Sequence, residues 1–267
     1  MIDLGKFNVL GIQVNAIDYE AAVERVITAA KEDRPLALSA LAVHGVMTGV
    51  QDAEQAYRLN HLDVIVPDGQ PVRWALNLLH KTKLKDRVYG PTLTLKICEE
   101  AAKEEIPIFL YGSKQLVLEA LEDNLKKRFL GLRIVGTIPS QFRQLTEKEQ
   151  WQIAQLIRES GAKLVFVGLG CPRQEVWIFE NRALLGMPIL AVGAAFDFHA
   201  GLLPQAPEWM QKRGLEWLFR LSQEPNRLWK RYLLLNPKYL VLLCMQLLGI
   251  DSFQASSSTP QKSLRHG

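Results

Sequence analysis

The stretch that most constrains the fold runs from Lys163 to Ala200, KLVFVGLGCPRQEVWIFENRALLGMPILAVGAAFDFHA. Two short apolar runs, Leu164–Val167 and Ile189–Val192, each enter a loop of small residues. Between them Val176, Ile178, Phe179, Ala183 and Leu184 form a rough helical stripe. Strand, glycine turn, helix and second strand make a βαβ unit, which requires a parallel sheet covered by helices. Parallel sheets bind ligands beyond the carboxyl ends of their strands, where turns and helix N-termini present free N–H groups. The loops Gly168–Arg173 and Gly193–Asp197 are therefore expected on the rim of a ligand site.

The same grammar extends toward the N-terminus. Val9–Ile12 reads as a strand, and Asp18 can cap a helix reaching about Ala30. Leu36–Ala42 reads as the next strand, followed by one helix from Gly45 to Asn60. Asp63–Val66 is a buried strand entering the turn Pro67-Asp68-Gly69-Gln70, and Pro71–His80 is a helix with proline in its first turn. Arg87–Tyr89 is a weaker strand before a helix over Thr92–Glu104. Ile106–Tyr111 and Leu132–Val135 are strands around the amphipathic helix Lys114–Phe129. Thr146 and Glu149 form a capping box for a helix ending near Glu159. Beyond about Pro204 no strand is evident, and helices rich in Leu, Trp and Arg are broken at Pro225 and Pro237. The expected fold is α/β: a Rossmann-like, mainly parallel sheet flanked by helices over residues 1–203, with a basic helical appendage over 204–250. The polar tail over 251–267 is expected to be disordered.

At 267 residues the chain can bury a large core, and 48% apolar and 22% charged residues are ordinary for a globular protein. The net charge of +4 does not suggest a nucleic-acid binder, but the charge is uneven. Residues 201–240 hold seven Lys and Arg against three Glu, which favours an anionic partner, phosphate or membrane surface. Three scattered cysteines form no CxxC pair and no zinc-like spacing with histidine, which suggests a reducing compartment without disulfides. The N-terminal residues do not read as a signal peptide. Tyr239–Ile250, about 12 residues, falls short of the roughly 18–20 that span a bilayer.

Gly168-x-Gly170-x-x-Arg173 lacks the third glycine of a dinucleotide fingerprint and comes late in the chain. It reads as a phosphate or sugar loop with Arg173 and Gln174 at the helix start, or simply as a tight strand-to-helix turn. Cys171 in that loop has no histidine nearby in sequence to activate it as a nucleophile. Asp68 is either a surface-turn aspartate or a general base whose carboxyl is shifted by burial. Asp197, between two phenylalanines, could accept a hydrogen bond from a base or sugar, or cap a helix. Arg220, Arg227 and Arg231, with Lys230, recur at helical spacing among Trp217, Phe219, Leu221, Leu228, Trp229 and Tyr232. Planar guanidinium groups suit a diphosphate, and the mixture suits a membrane interface. A solvated face around a core stripe would use the same spacing.

Three blocks, VPDGQPVRWALNLL (66–79), VGLGCPRQEVWIFENR (167–182) and VGAAFDFHAGLLPQAPEWMQKRGLEWLFRLSQEPNRLWKRYL (192–233), resemble the WecG/TagA/CpsF glycosyltransferases, collinearly over most of residues 9–235. The resemblance implies an inverting transferase without cofactor or metal, moving an N-acetylmannosamine-type sugar from a UDP donor to a sugar on a polyprenyl diphosphate. It implies that Asp68, beside Gly69, is the base and that Gln174 lies in the sugar site. It also implies that Arg220 and Arg227 close over the diphosphate, with Lys230 or Arg231 beside them. Peripheral attachment to the cytoplasmic membrane face and homo-oligomers are implied as well. The chain departs from the family at Ser39-Ala40-Leu41, where a Thr-x-Asn turn is usual, and at Gly90-Pro91-Thr92-Leu93, where an acidic pattern is usual. A non-catalytic sugar-nucleotide binder and an NAD-linked oxidoreductase are the alternatives.

Overall fold

The structure is a computed structural model that describes residues 1–254 and 258–267; residues 255–257 and the side chains of Arg227 and Arg231 lie outside the described part. Its centre is a six-stranded, wholly parallel sheet: β3 (Leu36–Leu41), β4 (Val64–Pro67), β5 (Ile108–Gly112), β6 (Ile134–Ile138), β7 (Leu164–Gly168) and β8 (Pro188–Ala191), in the order β4-β3-β8-β7-β5-β6. Successive side chains of a strand point to opposite faces. Ala37, Ile65, Phe109, Val165 and Ile189 accordingly join one core, while Leu38, Val64, Leu110, Phe166 and Leu190 join the other. Helices cover both faces, so the central strands are apolar at nearly every position rather than at alternate ones, Ser39 of β3 being a buried exception.

The single strand expected at Val9–Ile12 is a hairpin instead. Leu10 and Gly11, both with positive φ, turn β1 (Asp3–Val9) back onto β2 (Ile12–Ile17). The hairpin covers the edge of β4, where the buried Asn15 side chain accepts from the Ile65 N–H at 2.8 Å. The helix expected over Gly45–Asn60 is two, α2 (Val43–Gln51) and α3 (Ala53–Asn60). Asp52 has extended backbone and caps α3 by accepting from Glu54 and Gln55. Asp18 and the Thr146–Glu149 box cap α1 (Tyr19–Lys31) and α7 (Glu147–Glu159) as expected.

Arg87–Tyr89 is not a strand. It crosses the end of β4 with one backbone bond, Val88 N–H to Pro67 C=O, and enters α5 (Gly90–Lys103) directly. The remaining body helices are α4 (Gln70–His80), α6 (Gln115–Arg128), α8 (Arg173–Leu185) and the short α9 (Ala195–His199).

The C-terminal region is helical: α10 (Glu208–Lys212), α11 (Glu216–Gln223), α12 (Pro225–Lys230), a π-helical stretch over Arg231–Leu235, and α13 (Asn236–Leu247). It is not packed uniformly. Tyr239 and Leu243 of α13 are buried in the same core as the sheet, and the Tyr239 hydroxyl donates to Pro71 C=O at 3.1 Å. By contrast α10 and α11 bury no residue fully. The tail also differs from the disorder expected of it. Its described part is hydrogen-bonded to the body, with Leu264 and Arg265 N–H groups donating to Glu180 and the Leu145 N–H donating to Arg265 C=O.

Candidate active site

The carboxyl ends of β3, β4, β5, β7 and β8 open into one cleft of about 640 Å³, a size suited to a small-molecule ligand. The two loops singled out from the sequence both line it: Gly168, Gly170, Arg173 and Gln174 on one side, Gly193 and Asp197 on the other. Gly168 is needed for packing, because a Cβ there would lie 2.6 Å from the Phe196 ring. Gly170 adopts positive φ (76°) where the chain turns into α8. The site is therefore contiguous although its parts are spread from residue 40 to residue 224.

Asp68 stands at a junction. With Ala42, Glu216 and Arg220 it lines both the large cleft and a smaller cavity of about 90 Å³ between the body and the C-terminal helices. Gly69 lies beside it in the smaller cavity and is the N-cap of α4. The Asp68 Oδ1 accepts the Gly90 N–H at 2.6 Å. A side chain at position 90 would bring a Cβ to 3.1 Å from Ala40 Cβ and 3.4 Å from Oδ1, so the glycine at this position permits the close approach of the carboxylate. Burial pushes the Asp68 carboxyl from 3.8 up to about 6; Glu216 adds to this, while Arg87, the Gly90 bond and Arg220 oppose it. A carboxylate so placed is mostly ionised at neutral pH and more basic than an exposed aspartate, as a general base requires.

The C-terminal helices reach this site through Glu216. Its carboxylate accepts from Arg87 Nη2 at 2.6 Å and from the Tyr89 hydroxyl at 3.0 Å, while the Arg87 guanidinium lies 4.1 Å from the Tyr89 ring centroid. Arg87 is nearly buried, and its charge is matched inside the protein by Glu216 and Asp68. Burial, together with these two carboxylates, raises the Tyr89 phenol well above its usual range. Composition read Glu216 only as a charge and Arg87–Tyr89 only as a weak strand. Their meeting is a long-range contact that no local pattern displays. The acid in GLEW, within an otherwise basic and aromatic segment, was the available signal.

Of the basic residues, Arg220 reaches the cleft and lies 5.8 Å from the Phe198 ring. Arg173 lines the cleft, and so does Lys114 at the N-cap of α6, which the sequence reading did not single out. Lys230 is exposed over the Trp229 ring and is not among the described lining of either cavity. The expectations for the Arg227 and Arg231 side chains fall outside the described residues. Cys171 lines the cleft, with its thiol turned to the Glu175 carboxyl. Ser39 is fully buried, while Ala40, Leu41 and Ala42 form the cleft wall at the departure from the Thr-x-Asn pattern. Among the described residues no group of three or more His, Cys, Asp or Glu side chains is placed to hold a metal ion.

An open parallel sheet with a basic carboxylate and a cationic rim at its strand ends is the architecture of an α/β enzyme acting on an anionic substrate. The family follows from comparison: residues 7–252 match the model of the Glycosyl transferase WecG/TagA/CpsF family, and the chain belongs to it. Two curated relatives carry the name N-acetylglucosaminyldiphosphoundecaprenol N-acetyl-beta-D-mannosaminyltransferase. One, from Bacillus spizizenii, is 32% identical over 182 residues, covering 68% of each chain. The other, from Bacillus subtilis, is 30% identical over 191 residues, covering 71% of this chain and 72% of its own.

Proposed function

We propose that this glycosyltransferase moves an N-acetylmannosamine-type sugar from a UDP donor to a sugar on polyprenyl diphosphate, with inversion and without a metal ion, in cell-surface polysaccharide synthesis. The observation that carries the reading is the position of Asp68, at the junction of two cavities and beside Arg220. The larger cleft takes the donor. The acceptor hydroxyl gives its proton to Asp68 as it attacks the anomeric carbon. UDP leaves from the opposite face, and the negative charge growing on its diphosphate is met by Arg220, Arg173 and Lys114. Arg227, Lys230 and Arg231 belong to the same proposal as later-arriving cations. Asp197 is assigned to the donor's base or sugar.

The lipid acceptor requires the enzyme to work at a membrane surface. No helix among the described residues is long and apolar enough to cross one. The C-terminal helices do expose Trp209, Trp229, Leu233, Leu234, Leu240 and Val241 beside Lys212 and Lys230. Apolar side chains flanked by lysine suit the headgroup boundary, so we assign the protein to the cytoplasmic face as a peripheral protein. Self-association belongs to the same proposal, and sedimentation at several protein concentrations tests it.

The deciding experiment incubates the protein with a panel of UDP-sugars and short polyprenyl-diphosphate acceptors, with and without a chelator. Transfer of an N-acetylhexosamine, insensitive to chelation and with inverted anomeric configuration by NMR, is expected. Binding of UDP-sugar without transfer to any acceptor would leave the non-catalytic binder, and a chelator that abolishes turnover would remove the metal-free step.

A further inference from the structure

Glu175 is a carboxylate with almost no exposure, in the first turn of α8, in a position that the reaction above does not use. Burying an acid is costly unless its oxygens are engaged. Here one oxygen is engaged and the other is not. Oε1 accepts from the Ser39 hydroxyl on β3 at 3.0 Å and from Gln174 Nε2 at 2.8 Å, and the Cys171 thiol is also turned to this carboxyl. Oε2 of Glu175 and Oε1 of Gln174 are both buried with no hydrogen-bond partner. Both residues line the large cleft, and the Gln174 Oε1 faces the Gly193 turn, where even a Cβ would come within 3.2 Å of it.

An amide whose nitrogen is tied down has a determined oxygen position. With Nε2 held by Glu175, Gln174 cannot flip to offer a donor to the cleft without breaking a buried charge-assisted bond. Ser39 adds a second bond that fixes the Glu175 carboxyl in turn. Burial holds that carboxyl above the ordinary glutamate range, and a neutral acid would retain Oε1 as the acceptor of both bonds.

We propose that Glu175, with Ser39, is a positioning residue of the donor-sugar site: it clamps the Gln174 amide so that its oxygen serves as a fixed acceptor for an N–H or O–H of the transferred sugar. This rests on the reading that the cleft holds a UDP-sugar. It gives a use to the serine at the start of the altered Ser39-Ala40-Leu41 stretch at the end of β3, and it makes the clamp a determinant of which sugar is accepted. A site built to accept a hydrogen bond rejects a ligand that cannot give one, because the buried acceptor is then left unpaired.

The test titrates the full-length protein calorimetrically with UDP and with the UDP-N-acetylhexosamine that the panel identifies. Glu175→Met is expected to weaken UDP-sugar binding about tenfold, the scale of one lost buried hydrogen bond, while changing UDP binding less than about twofold. Glu175→Gln, which keeps an oxygen for Ser39 and Gln174, should restore UDP-sugar affinity to within about threefold of wild type. Equal losses for UDP and UDP-sugar in Glu175→Met would overturn the clamp, as would a Glu175→Gln as weak as Glu175→Met. Should Glu175→Met not fold, Ser39→Ala decides: selective weakening toward the sugar nucleotide supports the clamp, and unchanged discrimination refutes it. A wild-type chain that binds neither UDP nor any UDP-sugar removes both readings, whereas UDP-sugar affinity that survives the Glu175 and Ser39 variants removes the clamp alone.

Discussion

Replacing Asp68 by asparagine should produce two opposite effects in one protein. Asparagine is nearly isosteric, and its Oδ1 can still accept the Gly90 N–H. It cannot take a proton from the acceptor, so turnover should fall by about 10²–10⁴ while UDP-sugar binding stays within a few-fold. Stability should move the other way. The carboxyl is raised in the folded protein from 3.8 to about 6, so ionisation opposes folding. The stability it contributes is full below 3.8 and is lost as pH rises through about 6. The gap between about 6 and 3.8 corresponds to roughly 3 kcal/mol at 1.36 kcal/mol per pH unit. Asp68 is only half-buried, and solvent screening reduces this to about 1–2 kcal/mol. At pH 7.5 the variant should therefore melt about 2–6 °C above wild type, and at pH 4 the two should nearly coincide. Melting curves from pH 4 to 8, alongside turnover at pH 7.5, test both halves. Full turnover in the variant would sink the base assignment, and a melting temperature that does not rise would show that the carboxylate is not strained by burial.

The pH–rate profile of the wild type should lose kcat/KM as pH falls through about 6, because only the ionised Asp68 accepts a proton. In Arg220→Gln that limb should move to higher pH, since Arg220 holds the Asp68 carboxyl down, and kcat should drop about 10²–10³ with the loss of one leaving-group contact. Glu216→Gln should loosen the C-terminal helices by leaving the nearly buried Arg87 without its ion pair, at a cost of about 3–5 kcal/mol. Faster hydrogen exchange over 208–223 checks this, and unaltered exchange would deny that the pair anchors these helices. Leu233→Glu combined with Leu234→Glu should cut binding to anionic vesicles at least tenfold, on the order of the cost of placing two charges in the interface. Co-sedimentation reads it, while turnover on a short water-soluble acceptor should be kept.

What could be read along the chain is what repeats locally. Apolar runs with no polar alternation reveal strands buried on both faces, and glycine and proline turns mark their ends. The Pro67-Asp68-Gly69 and Gly168–Arg173 turns could therefore be placed at the ligand rim from the sequence. Caps at Asp18 and Thr146 are equally local, because the side chain and the N–H it serves are three residues apart. The two errors near the N-terminus, the hairpin at Leu10-Gly11 and the break at Asp52, are turns one or two residues long inside otherwise regular patterns.

Tertiary structure alone decided which charges meet. Asp68 is 22 residues from the N–H that holds it, Glu216 is 129 residues from Arg87, and Glu175 is 136 from Ser39. Whether an acid is a solvated surface group, a latch or a buried clamp depends on what desolvates it and what faces it. Local spacing carries neither. The residue types and the rim they occupy are sequence properties; the raised carboxyl of Asp68 and the anchoring of the C-terminal helices arise only when distant segments exclude water from the same cleft.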